Sequence, residues 1–213
     1  NSIVLKSKFT ESLVAWPYNR WDPLFPLQLP SETKPAVNLD MMRNEYRSEV
    51  FNLTNTTDKP ITAFINLKDF PQGDNPDWIS IREVQFTDTY IHFPIAAALP
   101  EALQKSDGYE INVPAGMTRQ VWLLFHPDKV KAGTYKGQVS IISDNMKPVK
   151  IPVKLQIYPF DMPDKLSVGI GGWDYTDGDV TAMDGKLVDQ KDFIKFLRDY
   201  GVNTPWAGPI VIK

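Results

Sequence analysis

The chain has 213 residues, of which 42% are hydrophobic, 12% aromatic and 23% charged, with a formal net charge of -3. That length carries one large domain, or one domain and part of another, and the composition is that of a folded globular chain rather than a disordered one. With no basic field, nucleic acid and anionic lipid are not expected partners; apolar runs such as Ile91 to Leu99 are strand-sized, against the ~20 residues of a membrane-spanning helix; and the absence of cysteine excludes disulfides and thiolate chemistry.

The sequence begins at Asn1 rather than Met, which fits a trimmed chain or an exported one whose leader has been removed. Trp16, Tyr18, Trp21 and Phe25 lie among Pro17, Pro23, Pro26 and Pro30, a stiff aromatic segment placed ahead of the regular strands. Such rings can form a flat sugar-binding platform, or an extended arm can lay them over the sandwich or over a domain junction. Because burying them is strongly favourable, the segment is expected to lie over a domain junction.

From Ile3 to Tyr158 the dominant pattern is the alternation of half-buried strands. Strands are expected at Ala36 to Met42, Tyr46 to Leu53, Ile61 to Leu67, Ile79 to Phe86, Tyr109 to Val113, Thr118 to His126, Thr134 to Ser143 and Val149 to Ile157. In the last of these Val149, Ile151, Val153, Leu155 and Ile157 alternate with Lys150, Lys154 and Gln156. Pro152 lacks a ladder donor, so this strand should run at an edge or turn that position to solvent. Pro114, Ala115 and Gly116 signal a tight turn, and Asp144 with Asn145 another. Connections this short favour antiparallel neighbours, and strands at this spacing read as a two-sheet immunoglobulin-like sandwich over residues 1–162.

The pattern changes after Phe160. Asp161, Met162, Pro163 and Asp164 read as a linker, and Leu166, Val168 and Ile170 as a short strand ending in Gly171 and Gly172. A helix follows, with Asp189 as N-cap and Phe193, Phe196, Leu197 and Tyr200 on one face. Asp192 stands where a capping box prefers Glu, and Gly201 with Val202 supplies a left-handed stop. Thr204 to Trp206 and Pro209 to Ile212 begin a further strand. A strand, a helix and a strand start open a parallel βα architecture, so residues 163–213 are expected to be the truncated beginning of a TIM-type barrel, which needs eight such units.

Several runs carry a family resemblance. Met42, Arg43, Asn44 and Glu45 lead into Val50, Phe51, Asn52 and Leu53; Val113, Pro114, Ala115 and Gly116 precede Val121, Trp122 and Leu123. Gly133, Thr134, Tyr135, Lys136 and Gly137, then Ile151, Pro152 and Val153, lead to the exit Pro159, Phe160, Asp161, Met162 and Pro163. Together they resemble the amino-terminal sandwich of bacterial glycoside-hydrolase-like proteins, family 123 and its relatives. The resemblance implies a sandwich that precedes a TIM-type barrel, with catalytic acids further along the barrel than this chain reaches. No catalytic residue is therefore carried over.

Trp173, Asp174, Tyr175 and Trp206 are the candidates for carbohydrate binding, because they follow the ends of the expected barrel strands, where such folds place their sites. Aromatic rings there stack on sugars, and a carboxylate accepts hydroxyl hydrogen bonds. The blander alternative, which weighs more at this stage, is that Trp173 packs on the sandwich and Asp174 caps a turn. Asp174, Asp177, Asp179 and Asp184 invite calcium, but their spacing does not match an EF-hand and a solvated turn is the expectation. His92 and His126 have no second ligand at metal spacing and are expected to be structural. Asn52 and Asn55 begin formal glycosylation sequons, with Thr54 and Thr57 expected at strand edges.

No phosphate loop, serine elbow or paired metal motif is present, so no metal or cofactor is expected. The reading that results is a non-catalytic accessory sandwich of a carbohydrate-processing enzyme, periplasmic, outer-surface or extracellular in a bacterium. Its partner would be the remainder of its own chain, and a polysaccharide or glycan a further one. An independent carbohydrate-binding module and an immunoglobulin-like adhesion module are the alternatives.

Overall fold

In the computed structural model the chain separates into two compact units, Asn1–Asp161 and Met162–Lys213. The structure describes residues 1–31, 33–87, 95–98, 102–105, 108–144, 146–171, 190–199 and 201–204. Unit 1 opens with helix α1 (Ser2–Lys8) and strands β1 (Leu13–Pro17), β2 (Val37–Arg43), β3 (Arg47–Asn55) and β4 (Ile61–Lys68). It continues with β5 (Ile79–Thr87), β6 (Ile95–Ala98), β7 (Leu103–Lys105), β8 (Gly108–Val113), β9 (Thr118–Phe125), β10 (Gly133–Ile142) and β11 (Val149–Asp161).

These strands form two sheets, β1-β3-β9-β5-β6 and β2-β11-β10-β4-β8-β7. Their inward residues make one core. Phe51, Leu53, Val121, Leu123, Phe125 and Ile81 come from the first sheet, and Ile65, Leu67, Ile111, Val139, Ile151 and Leu155 from the second. A mainly β, two-sheet architecture is thus as expected from the alternation.

One expectation about pairing needs correction. β2 and β11 run parallel, with Val37 opposite Val153 and Leu39 opposite Leu155. Short connections enforce antiparallel pairing only between sequence neighbours, and here the whole sandwich lies between the two strands. β11 is an interior strand, flanked by β2 and β10, so of the two placements expected for Pro152 it is the solvent-facing one that applies. Pro152 is nonetheless accommodated, because the β2 ladder begins one residue later, at Val153.

The turns follow from their residues. Gly116 takes φ 64°, and Met117 N–H donates to the Pro114 carbonyl at 3.2 Å, closing the turn between β8 and β9. Gly137 serves a different need: a Cβ there would meet the Phe70 ring at 2.7 Å, so the missing side chain is what admits that ring against β10.

The outer face of the first sheet is not solvated. Asn52, Thr54, Thr118, Gln120, Val50 and Val84 point away from the core yet are buried. Trp16, in β1, is 2% exposed and donates its indole N–H to Thr54 Oγ1 at 2.9 Å, and Thr54 shares a 2.7 Å hydrogen bond with Thr118. The proline-rich arm after β1 completes the cover. Thr118 N–H donates to the Pro26 carbonyl at 2.8 Å, Trp21 meets Trp122 edge-on at 6.5 Å, and Leu24 is buried. Of the two surfaces expected for the aromatic segment, the sandwich rather than a domain junction receives Trp16 and Leu24, while Trp21 and Phe25 stay exposed, and Trp16 belongs to a strand. The same burial corrects the sequon reading, since β3 is interior and Thr54 lies inside its polar network. Asn55, also fully buried, is used as a turn clamp: its Oδ1 accepts from Thr57 N–H at 2.8 Å and its amide donates to the carbonyls of Lys59 and Val113.

Unit 2 contains one helix among the described residues, α2 (Gln190–Asp199), with Asp192 in its first turn. The expected N-cap Asp189 lies outside the described residues. The stop is as expected. Gly201 has φ 84°, Gly201 N–H donates to the Arg198 carbonyl and Val202 N–H to the Leu197 carbonyl, both at 2.9 Å, which is the Schellman arrangement. The strand expected at Leu166, Val168 and Ile170 is not formed as a regular ladder.

Candidate functional site

None of the four candidate residues, Trp173, Asp174, Tyr175 and Trp206, lies among the described residues, and neither do His92, Asp177, Asp179 and Asp184. The described residues that precede the four candidates, 162–171 and 201–204, have an informative geometry. Asn203 holds the 166–170 segment in place of a ladder: its Oδ1 accepts from Ile170 N–H at 2.7 Å, and its Nδ2 donates to the carbonyls of Val168 at 2.9 Å and Leu166 at 3.3 Å. Asn203 N–H and Thr204 N–H both donate to the Ile170 carbonyl at 3.0 Å. An amide side chain thus imitates a neighbouring strand's backbone over three residues.

The consequence is positional. Ile170 and Thr204 are side by side, and Trp173 follows the first by three residues, Trp206 the second by two. The chain passes from α2 through the Gly201 stop directly back to the segment that preceded the helix. Sequence reading did not single out Asn203. The one signal it offered was a lone amide set between Val202 and Thr204 just beyond a helix stop.

Below this point lies a groove of 460 Å³ between α2 and the 164–166 segment, lined by Leu166, Ile194, Leu197 and Val202, with Asp164 and Arg198 at its polar side. Ile194 is 48% exposed, so the wall of the groove is open to solvent. Gly201 borders it closely, since a Cβ there would stand 3.3 Å from the Leu166 side chain.

In unit 1 several charged groups are paired with one another. Arg20 pairs with Glu49 at 3.1 Å and Arg43 with Asp161 at 2.8 Å. Three carboxyls titrate below the ordinary carboxylate range: Glu11 and Asp58 through backbone hydrogen bonds, and Asp74 through the Lys68 ammonium. His126 stacks on Tyr46 with ring centroids 3.9 Å apart and planes 7° from parallel. Its Nδ1 is buried without a hydrogen-bond partner. Among the described residues no three His, Asp or Glu side chains are grouped to hold a metal ion, and no helix is long and apolar enough to cross a membrane.

No protein-family profile and no curated protein sequence matches the chain. Among solved structures it is similar to a family 123 glycoside hydrolase from Clostridium perfringens, whose structural analysis addresses glycolipid glycan hydrolysis. That likeness has 13% identity and a TM-score of 0.56, and it covers 87% of this chain and 34% of the other. The chain thus spans about a third of that enzyme's length. At this identity the likeness is one of fold. A PapD-like domain of human CEP192 and a member of the MSP family from C. elegans align at TM-scores of 0.32 and 0.31, with 14% and 11% identity. They cover 68% and 58% of this chain and 100% and 93% of their own, and at such scores they carry no argument.

Proposed function

We propose that this chain is the accessory β-sandwich, with the first strand–helix unit of a barrel, of a carbohydrate-processing enzyme similar in plan to family 123 glycoside hydrolases. One observation carries the reading. The match covers 87% of 213 residues, about 185, whereas unit 1 ends at Asp161, so the likeness is longer than the sandwich alone. The sandwich in this reading braces the barrel that follows, and its partner is the remainder of its own polypeptide. Export to the periplasm or cell surface of a bacterium belongs to the same proposal.

In this reading the Ile170 and Thr204 pair marks the mouth of the nascent barrel, the end at which such folds bind substrate. Trp173 and Trp206 then offer ring faces to a sugar, Tyr175 a third, and Asp174 an acceptor for its hydroxyls. The chemistry itself falls to carboxylates beyond Lys213, whose separation would set the stereochemical outcome.

The test has two arms. The 213-residue chain is assayed against glycolipid glycans, and no turnover is expected. The gene downstream of Lys213 is then read and the extended protein assayed, with hydrolysis expected and a lowered kcat/KM in Trp173→Ala. Turnover by the 213-residue chain, or an extended protein with no barrel-like βα repeats, overturns the proposal. A second reading, an independent carbohydrate-binding module, is favoured by Trp21, which is 76% exposed beside Arg20. Glycan-array binding lost in Trp21→Ala would support it, and a blank array would remove it.

A further inference from the structure

The outer face of the second sheet holds a groove of 470 Å³ that the reading above does not use. Its apolar side is made by the exposed Ala36 and Pro152, at the point where the β2 ladder begins and β11 continues beyond it. Two amides, Asn38 and Gln138, and three lysines, Lys136, Lys150 and Lys154, complete it.

The lysines are placed by the ladder itself. Lys136 stands directly opposite Lys154, with Cα atoms about 5 Å apart. Lys150 lies four residues along β11 on the same face, about 13 Å away. All three are exposed, and among the described residues none of their ammonium groups has an ion-pair or hydrogen-bond partner. Like charges directly across a ladder are destabilising. The one acid among the lining residues, Asp69, is engaged with Gln138, whose Nε2 donates to Asp69 Oδ2 at 2.7 Å. Three ammonium groups against one occupied carboxylate is a local excess opposite in sign to the chain's net charge of -3.

We propose that this groove binds a linear acidic polysaccharide. The ammonium row meets carboxylates or sulfates spaced along such a polymer, the free amide of Asn38 meets hydroxyls, and the exposed Pro152 ring and Ala36 methyl meet the C–H face of a sugar ring. A groove of this volume suits a few sugar rings. A protein partner would ask for roughly 800 Å² of surface on each side, for which a row of solvated lysines is a poor centre. The site belongs to unit 1 alone, so it stands independently of the barrel reading.

The test is affinity electrophoresis of the 213-residue chain through gels containing polygalacturonate, heparin or neutral dextran. Retardation by at least one acidic polymer is expected, weakening as salt rises, with none by dextran; which polymer acts separates carboxylate from sulfate recognition. The triple variant Lys136→Gln/Lys150→Gln/Lys154→Gln should bind about tenfold more weakly with an unchanged far-UV spectrum. A control with the same charge change at exposed positions outside the groove, Lys8→Gln/Lys59→Gln/Lys131→Gln, should bind as the parent does. The proposal is overturned if neither acidic polymer retards the chain, if the two triple variants weaken equally, or if polyglutamate binds as well as the polysaccharides.

Discussion

The two sheets of the sandwich treat their outer faces in opposite ways. On the second sheet, β11 alternates strictly, with Ile151, Val153 and Leu155 buried and Lys150, Pro152 and Lys154 exposed. On the first, β3 is buried without a break from Val50 to Asn55, and its outward residues carry the Asn52 and Thr54 polar network under the arm. Both strands are interior and both line the same core. The difference lies in what covers them, and it shows that the arm is a third layer: it removes a polar sheet face from water and so must satisfy the groups it buries.

The largest effect should come from removing the main ring of that cover. Trp16→Ala deletes a buried indole and leaves Thr54 without its donor, and should lower unfolding free energy by about 3–5 kcal/mol in urea melts. A loss below about 1 kcal/mol would mean that the arm is loosely laid and the face solvated. Next is the polar network itself. Gln120 Nε2 donates to Asn52 Oδ1 at 3.3 Å, and Asn52 Nδ2 is buried without a partner. Asn52→Ala strands the Gln120 donor and should cost about 1–3 kcal/mol. The double variant Asn52→Leu/Gln120→Met, which removes both polar groups, should recover most of that loss. A double variant worse than the single would show that the network, rather than the cover, holds this face together.

The contrast between the faces was legible in the residues of β11 and β9. Val149 to Ile157 alternates, the mark of a strand with one wet face, whereas Val121 to Phe125 is apolar throughout, the mark of a strand covered on both. What covers the first sheet was harder to read, because a ring such as Trp16 announces burial without naming the surface that receives it, and Trp21 in the same segment stays 76% exposed. β1 was missed because Leu13 to Pro17 is short and runs into the proline-rich arm, and α1 because its seven residues have no side-chain cap. The parallel pairing of β2 with β11 has no local signature, since it joins segments more than a hundred residues apart. In unit 2 the Gly201 and Val202 stop was readable because only a left-handed residue closes a helix that way. Asn203 was not, because an amide that substitutes for a strand can be recognised only once its three backbone partners are in place.

On the wet face the effects should be smaller and electrostatic. Lys136→Glu turns a like-charge pair with Lys154 into an attractive one and should raise stability by about 0.2–1 kcal/mol, while disabling the acidic-polymer groove. An unchanged melt would show that solvent and salt already screen the pair.

The smallest effect concerns Lys68 and Asp74, 2.7 Å apart at the margin of the same sheet. The Lys68 ammonium, with Asp69 N–H in support, holds the Asp74 carboxyl below its unfolded value. A depressed carboxyl contributes stability that is fully present above its unfolded pKa and is lost as pH falls through the lower, folded one. The acid limb of the stability curve should therefore flatten in Lys68→Gln, with no difference from the parent at neutral pH beyond the loss of an exposed pair, which is small and screened by salt. An acid limb unchanged by the substitution would assign the depression to the Asp69 backbone instead, and would make that turn, rather than the lysine beside it, the local source of charge stabilisation on this face.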